Sequence, residues 1–348
     1  MTMRLAIAHH DARTLDALKR IVDTLAGYEI IWIAADGAEA VRKCQKEKPD
    51  LLLLDLALPV MDGSRTTNGI MKSCPCAILL LTASVEANAA KVFEAMGHGA
   101  LDAVRISVET PTGKLLGEKD IIKKLATIGK LIGKLETRGK APFKTKATSP
   151  APCPPLVAIG ASTGGPRALS VILAALPKVL GAAVIIVQHL DEQFSRGLAE
   201  WLNGQSNLEV VLAGVGDRPM IDTVLVASTN DHLILGEDLI IRYTEEPRDY
   251  PYRPSVDVFF ESLVRHWPRR DIAVLLTGMG RDGASGLAAL RKAGWHTIAQ
   301  DEKTSVVYGM PAAAVELGGA TDILPLERIA PVILKRLGKG GQISNLSP

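Results

Sequence analysis

The chain has little with which to bind a polyanion, cross a membrane or staple itself together. Its 348 residues carry 40 Lys+Arg against 38 Asp+Glu, a net charge of +2, so no imbalance marks a nucleic-acid-binding surface. Four cysteines, Cys44, Cys74, Cys76 and Cys153, are too few and too unevenly spaced for a disulfide framework. No second Cys/His cluster completes a zinc site around the Cys74/Cys76 pair. Reduced thiols in a cytoplasmic protein are the expectation. No apolar stretch reaches membrane-spanning length, and the run Leu5 to Ala8 is too short for a signal peptide, so no membrane insertion is expected. Aromatic residues amount to 4%, and no lipophilic acyl pocket is evident. What remains is an ordinary globular balance, 47% hydrophobic and 22% charged, which excludes wholesale disorder.

Residues 137–155, TRGKAPFKTKATSPAPCPP, hold five prolines, four basic residues and no acid. Proline removes backbone donors and like charges extend the chain, so this is a semi-rigid tether. It sets apart two domains, 1–136 and 156–338, with a short tail at 339–348. In the first, apolar runs at Leu5–Ala8, Ile30–Ala34, Leu51–Leu54, Ala77–Leu81 and Leu101–Val104 alternate with helical patterns, and a basic amphipathic helix from about Lys119 to Leu135 closes it. Runs apolar on both faces and alternating with helices imply a parallel sheet covered on both sides, here a flavodoxin-like domain. The second is also α/β, a doubly wound parallel sheet with strands expected at Leu156–Ile159, Ala183–Val187, Leu208–Leu212, Val224–Ala227, Ile272–Thr277 and Thr297–Gln300. Leu233–Leu235 and Leu239–Tyr243 form a hairpin pattern at its edge.

The sharpest local pattern is Gly160-Ala-Ser162-Thr-Gly164, directly after an expected strand. Its small residues permit a strained strand-to-helix turn that presents a serine hydroxyl, with following amides facing developing negative charge. A tight structural turn fits the same residues. A Walker-type loop does not, because Gly165-Pro166-Arg167 stands where Gly-Lys-Ser/Thr is needed. A serine nucleophile needs a base and the base an orienting acid. His189 ends the next apolar strand, and Asp282 follows the strand after Asp271, so both project at the edge that carries Ser162. A histidine capping its strand and a turn aspartate are the plainer alternatives, and Asp257 and Asp301 are alternative acids. The chain order Ser, His, Asp differs from that of ordinary α/β hydrolases.

Taken together, GASTGGP, QHL, TGMGRDG and AQDEKTSVVYGMP resemble the catalytic domain of chemotaxis-type protein-glutamate methylesterases, the CheB family. The first domain and basic linker resemble that family's receiver and tether, so the resemblance covers almost the whole chain. FEAMGHGALD is similar to the Wsp-type branch of surface-sensing pathways. The resemblance implies that Ser162 attacks a glutamyl methyl ester on a methyl-accepting chemoreceptor, that His189 takes its proton, that Asp282 orients the imidazole and that the Met279 amide lies in the oxyanion hole. It implies neither metal nor cofactor in catalysis, and deamidation of receptor glutamines by the same chemistry. A receiver covering the active-site edge is a further expectation. A monomer is the default expectation, and a non-catalytic adaptor docking receptor and kinase is the competing reading.

In the first domain, Asp55 ends the third apolar run and resembles the phosphoacceptor of a receiver served by a histidine kinase, with Thr82 as its switch hydroxyl. The pattern departs at the first strand, where receivers carry an acidic pair for Mg²⁺ and this chain has His9 and His10. Mg²⁺ prefers hard oxygen ligands. Ile106 stands where the receiver lysine is expected. These departures argue against Mg²⁺-dependent phosphorylation. Adjacent imidazoles on one strand are expected to face opposite sides, which makes a poor joint site for zinc or copper.

Overall fold

Four leucines in a row, Leu51–Leu54, offer no polar face to water, and all four are fully buried in the middle strand of a sheet covered on both sides. In this computed structural model, which describes residues 2–108, 115–132, 153–248, 250 and 252–338, the chain forms two compact units, Met1–Arg138 and Gly139–Pro348. The proline-rich tether up to residue 152, the end of the basic helix beyond 132 and the tail after 338 lie outside the described residues. The first unit runs β1 (Met3–Ala8), α1 (Ala12–Asp23), β2 (Tyr28–Ala34), α2 (Gly37–Lys46), β3 (Leu51–Asp55), α3 (Gly63–Ser73), β4 (Ala77–Thr82), α4 (Val85–Gly97) and β5 (Asp102–Arg105). A short antiparallel pair, β6 (Ser107–Val108) and β7 (Leu115–Leu116), precedes α5 (Glu118–Ile132). The parallel sheet has the order β2-β1-β3-β4-β5, the flavodoxin-like arrangement. Three of its helices begin at an aspartate that accepts from an amide of the first turn: Asp11 from Thr14, Asp36 from Glu39 and Asp62 from Arg65.

The second unit continues through β8 (Leu156–Ala161), α6 (Gly165–Ala175), β9 (Ala183–Gln188), α7 (Glu192–Gln205), β10 (Glu209–Leu212), β11 (Thr223–Val226), β12 (His232–Leu235), β13 (Ile241–Thr244), α8 (Val256–His266), β14 (Ile272–Leu275), α9 (Ala284–Lys292), β15 (His296–Gln300), α10 (Met310–Glu316), β16 (Asp322–Leu324) and α11 (Leu326–Arg336). Its parallel sheet has the order β10-β11-β9-β8-β14-β15-β16. The chain winds outward from β8 in one direction and then returns to lay β14 on the other side of it. That reversal opens a crevice beyond the carboxyl ends of β8 and β14, where open α/β sheets bind their ligands.

The hairpin β12/β13 is a separate two-stranded sheet and does not extend the parallel one. Its apolar face, Leu233 and Leu235, packs with Phe259, Phe260 and Leu263 of α8, and the Leu235 amide donates to Ser262 Oγ at 3.1 Å. Two elements of this second unit go beyond the sequence expectation. The strand β16 has only three residues, and α11 contains Pro331 yet buries Leu326, Ile329, Ala330, Ile333 and Leu334. No helix among the described residues is long and apolar enough to cross a membrane.

Candidate active site

Ser162 follows the last residue of β8, and its backbone is fixed from both sides. Its amide donates to Thr277 O at 3.0 Å and its carbonyl accepts from Gln188 Nε2 at 2.9 Å. The turn into α6 needs glycine at Gly164, which has a φ of +77° and no side-chain cap. Gly278 is equally constrained, since a Cβ there would lie 2.7 Å from Ser162 Cβ. The Thr277–Gly280 loop therefore lies directly against the serine. Among the described residues the Ser162 hydroxyl makes no hydrogen bond, and neither does the Met279 amide. An unpaired amide next to the loop position that touches Ser162 is what an oxyanion donor requires.

His189 is held on the neighbouring strand end. Ala161 of β8 is in register with Gln188 of β9, so Ser162 and His189 occupy the next rung of two adjacent parallel strands. The His189 amide donates to Ala161 O at 3.0 Å. Its ring Nε2 lies 2.6 Å from Asp282 Oδ2, while Nδ1 is buried with no hydrogen-bond partner. His189 and Asp282 are thus brought together. Ser162 and His189 are neighbours by register with no hydrogen bond between their side chains.

Asp282 also accepts from Ser255 Oγ at 2.7 Å, from the Val256 amide at 2.7 Å and from the Asp257 amide at 3.1 Å. It sits at the N-terminus of α8, where exposed amides and the helix dipole favour an anion. Burial alone would raise its pKa, but the His189 contact, the Ser255 hydroxyl and the Val256 amide outweigh it and hold the carboxyl below the usual range. An ionised Asp282 accepts, so the neutral imidazole carries its proton on Nε2 and keeps a free lone pair on Nδ1.

The two alternative acids separate cleanly. Asp301 is spent in a local turn, accepting from the Thr304 amide at 3.0 Å and from Thr304 Oγ1 at 2.6 Å. Asp257 is close to Asp282, but its pKa is pushed up to about 8, first by burial and then by the Asp282 charge, which favours its neutral form. Three further residues shape the site: Gln188 opens the QHL motif, whereas Tyr252 and Ser255 have no signal in the sequence patterns. Tyr252 stacks on His189 with ring centroids 4.5 Å apart and planes 6° from parallel. Gln188 bridges the carbonyls of Ser162 and His189. Ser255, besides bonding Asp282, donates its amide to Nδ1 of the buried His232 at 3.0 Å.

In the first unit, Asp55 ends β3 and is buried, and Thr82 ends β4, but Thr82 Oγ1 donates to Ser84 O at 2.9 Å and accepts from Asn88 at 3.2 Å rather than meeting Asp55. Ile106, at the expected lysine position, is part of the hydrophobic core. The expectation for the histidines is corrected. His10 Nδ1 lies 3.1 Å and His9 Nε2 3.7 Å from the same oxygen, Asp55 Oδ2, and the two rings stack with centroids 5.5 Å apart. The strand ends at Ala8, so the alternation of side chains no longer applies beyond it. This donor set does not fit Mg²⁺, which demands oxygen ligands in near-octahedral geometry.

The model of the CheB methylesterase family matches residues 157–333, and that of the response regulator receiver domain matches residues 5–109. A protein-glutamate methylesterase/protein-glutamine glutaminase 2 of Cupriavidus metallidurans is 50% identical over 339 residues, 97% of this chain and 99% of the relative. A protein-glutamate methylesterase/protein-glutamine glutaminase of Mesorhizobium japonicum is 49% identical over 335 residues, 96% of this chain and 98% of the relative. The crystal structure of the Thermotoga maritima CheB methylesterase catalytic domain is 34% identical, covers 52% of this chain and 97% of that one, and has a TM-score of 0.49.

Proposed function

The chain belongs to the CheB methylesterase family, and from that membership we propose that its second unit hydrolyses glutamyl methyl esters on a chemoreceptor, with Ser162 as nucleophile. The observation that carries the assignment of roles is the buried His189–Asp282 pair at 2.6 Å, on the strand next to a serine whose hydroxyl is uncommitted. Ser162 Oγ adds to the ester carbonyl as its proton passes to the free lone pair of His189 Nδ1. Asp282 stabilises the imidazolium through Nε2, and the Met279 amide receives the oxyanion. Collapse of the adduct expels methanol, which takes the proton from Nδ1. Water then enters, loses a proton to the same nitrogen, and releases the free glutamate. A glutamine side chain runs through the same steps with ammonia as leaving group. The Met279 amide serves as the backbone donor, and the proposed reaction needs no cofactor.

The receiver unit is the regulatory part, with Asp55 as its control carboxylate and a histidine kinase as its partner. His9 and His10 do not suit Mg²⁺, so control of Asp55 does not use that ion. The substrate sits on the cytoplasmic part of a receptor, and the four free cysteines suit the same reducing compartment.

The test is methanol release from a methylated receptor cytoplasmic domain. Ser162→Ala should abolish it with the thermal midpoint unchanged, since the hydroxyl bonds nothing among the described residues. Release that survives in Ser162→Ala would remove the serine from the mechanism. A parent chain that releases none would turn the reading to an adaptor.

A further inference from the structure

We propose that His9, His10 and Asp55 form a binding site for a divalent transition-metal ion of the zinc, cobalt and nickel class, in place of the Mg²⁺ site a receiver ordinarily has. One ligand atom from each residue lies within 4.8 Å of the others. In a tetrahedral site with bonds of about 2.0–2.1 Å, neighbouring ligand atoms stand about 3.3 Å apart. The observed 3.1 Å and 3.7 Å separations from Asp55 Oδ2 bracket that value, and the edge between the two nitrogens is within 4.8 Å. Two imidazole nitrogens and one carboxylate oxygen are a borderline donor set, suited to these ions and poor for Mg²⁺.

The surroundings favour the same reading. Among the described residues, the ion-pair partners of Asp55 are the two histidines, because Lys91 lies by Asp62 and the expected lysine is Ile106 in the core. Asp55 Oδ1 accepts from the Ala57 amide at 3.1 Å, which fixes the carboxylate and leaves Oδ2 for the ion. His10 has a half-exposed side chain, so the ion has a way in and an open coordination position for water. Asp11 is occupied as the cap of α1 and adds no fourth ligand. The cluster must change one bond. His9 Nδ1 accepts from the Asp11 amide at 3.0 Å, so the neutral ring carries its proton on Nε2. Metal binding moves that proton to Nδ1 and exchanges one amide hydrogen bond for a metal bond. His10 shifts its proton outward from Nδ1 to Nε2 in the same way.

The thiols of Cys44 and Cys74 are the competing soft ligands of this unit, and both are raised in pKa, Cys44 by its bond to Cys76 and by burial, Cys74 by burial and by Cys44. The experiment therefore titrates the untagged full chain with Co²⁺, Zn²⁺ and Mg²⁺, alone and in competition with a chromophoric chelator. One equivalent of Zn²⁺ or Co²⁺ is expected, with Mg²⁺ bound about 100-fold or more weakly, and the Co²⁺ spectrum should show visible bands without sulfur-to-metal charge transfer. Loss of an outer-shell partner weakens metal sites about 10–100-fold, so removing a direct ligand in His10→Ala should weaken Zn²⁺ by about 100-fold. Cys74→Ser/Cys76→Ser should leave affinity unchanged, and His9→Asp/His10→Asp should shift preference toward Mg²⁺. Unchanged Zn²⁺ affinity in His10→Ala, loss of binding in the cysteine variant, or equal affinity for Mg²⁺ would each overturn the proposal.

Discussion

Replacing Asp282 by asparagine separates its chemical role from its structural one. The carboxylate accepts from His189 Nε2 and the Val256 amide on Oδ2, and from Ser255 Oγ and the Asp257 amide on Oδ1. In Asp282→Asn one of these atoms becomes an NH₂ that cannot accept. Turned toward Oδ2 it would confront two fixed donors. Turned toward Oδ1 it confronts only the Asp257 amide, because the Ser255 hydroxyl can rotate. The second orientation is therefore expected, and it leaves one buried backbone donor unsatisfied at about 1–3 kcal/mol. With the lost charge assistance of the remaining bonds the total is about 2–4 kcal/mol. For a unit of this size that lowers the thermal midpoint by roughly 5–15 °C.

The same orientation keeps a carbonyl oxygen against His189 Nε2, so the Nδ1 lone pair survives. What is lost is the negative charge that stabilises the imidazolium. An acid-to-amide change that also scrambles the tautomer costs a serine triad about 10⁴-fold in kcat, so a drop of about 10²–10³-fold with little change in KM is expected here. Methanol release under single-turnover conditions, beside a thermal melt of the same preparation, reads both effects. A variant that melts early but keeps kcat within threefold of the parent would refute the reasoning, since Asp282 would then be a helix cap and nothing more.

Asp257→Asn should act in the opposite sense. Its folded pKa of about 8 lies above the ordinary 3.8, so its favourable contribution is complete below about pH 4 and is lost as pH rises through 8. Urea midpoints should diverge in the variant's favour between pH 5 and pH 8, by about 1 kcal/mol per unit, and parallel curves would show Asp257 to be ionised throughout. Tyr252→Leu removes the ring stacked on His189 and should lower kcat about 3–30-fold, with Tyr252→Phe restoring it, as a stacked imidazolium requires; equal loss in both variants would implicate the hydroxyl instead. Gly278→Ala places a methyl group against Ser162 and should cost about 100-fold in methanol release, and near-parent activity would mean that the loop gives way without moving the serine.

How much of this was legible before the structure follows the range of each interaction. The strands of both sheets, apart from the three-residue edge strand β16, were readable because a run such as Leu51–Leu54, apolar on both faces, has few other places to go. Ser162, His189 and Asp282 were readable as candidates because each follows such a run, and parallel strands deliver their carboxyl ends to one edge. What a pattern along the chain does not carry is which atom meets which. The choice of Asp282 over Asp257 depends on α8, whose first amides charge-match one carboxylate while burial neutralises the other. Tyr252 reaches His189 from a segment without regular structure, so neither helical nor strand spacing points to it. The hairpin β12/β13 had the right strands but the wrong neighbour, because Ser262 of a helix takes the Leu235 amide that an edge strand would have offered. His9 and His10 mark the limit of the alternation rule itself. That rule holds only while the backbone is extended, and β1 ends at Ala8, so two adjacent side chains turn to one carboxylate instead of to opposite faces. Residues at the first positions beyond a strand are thus where a periodic pattern says least and where α/β sheets assemble their chemistry, which makes the same few positions both the hardest to read and the most informative to measure.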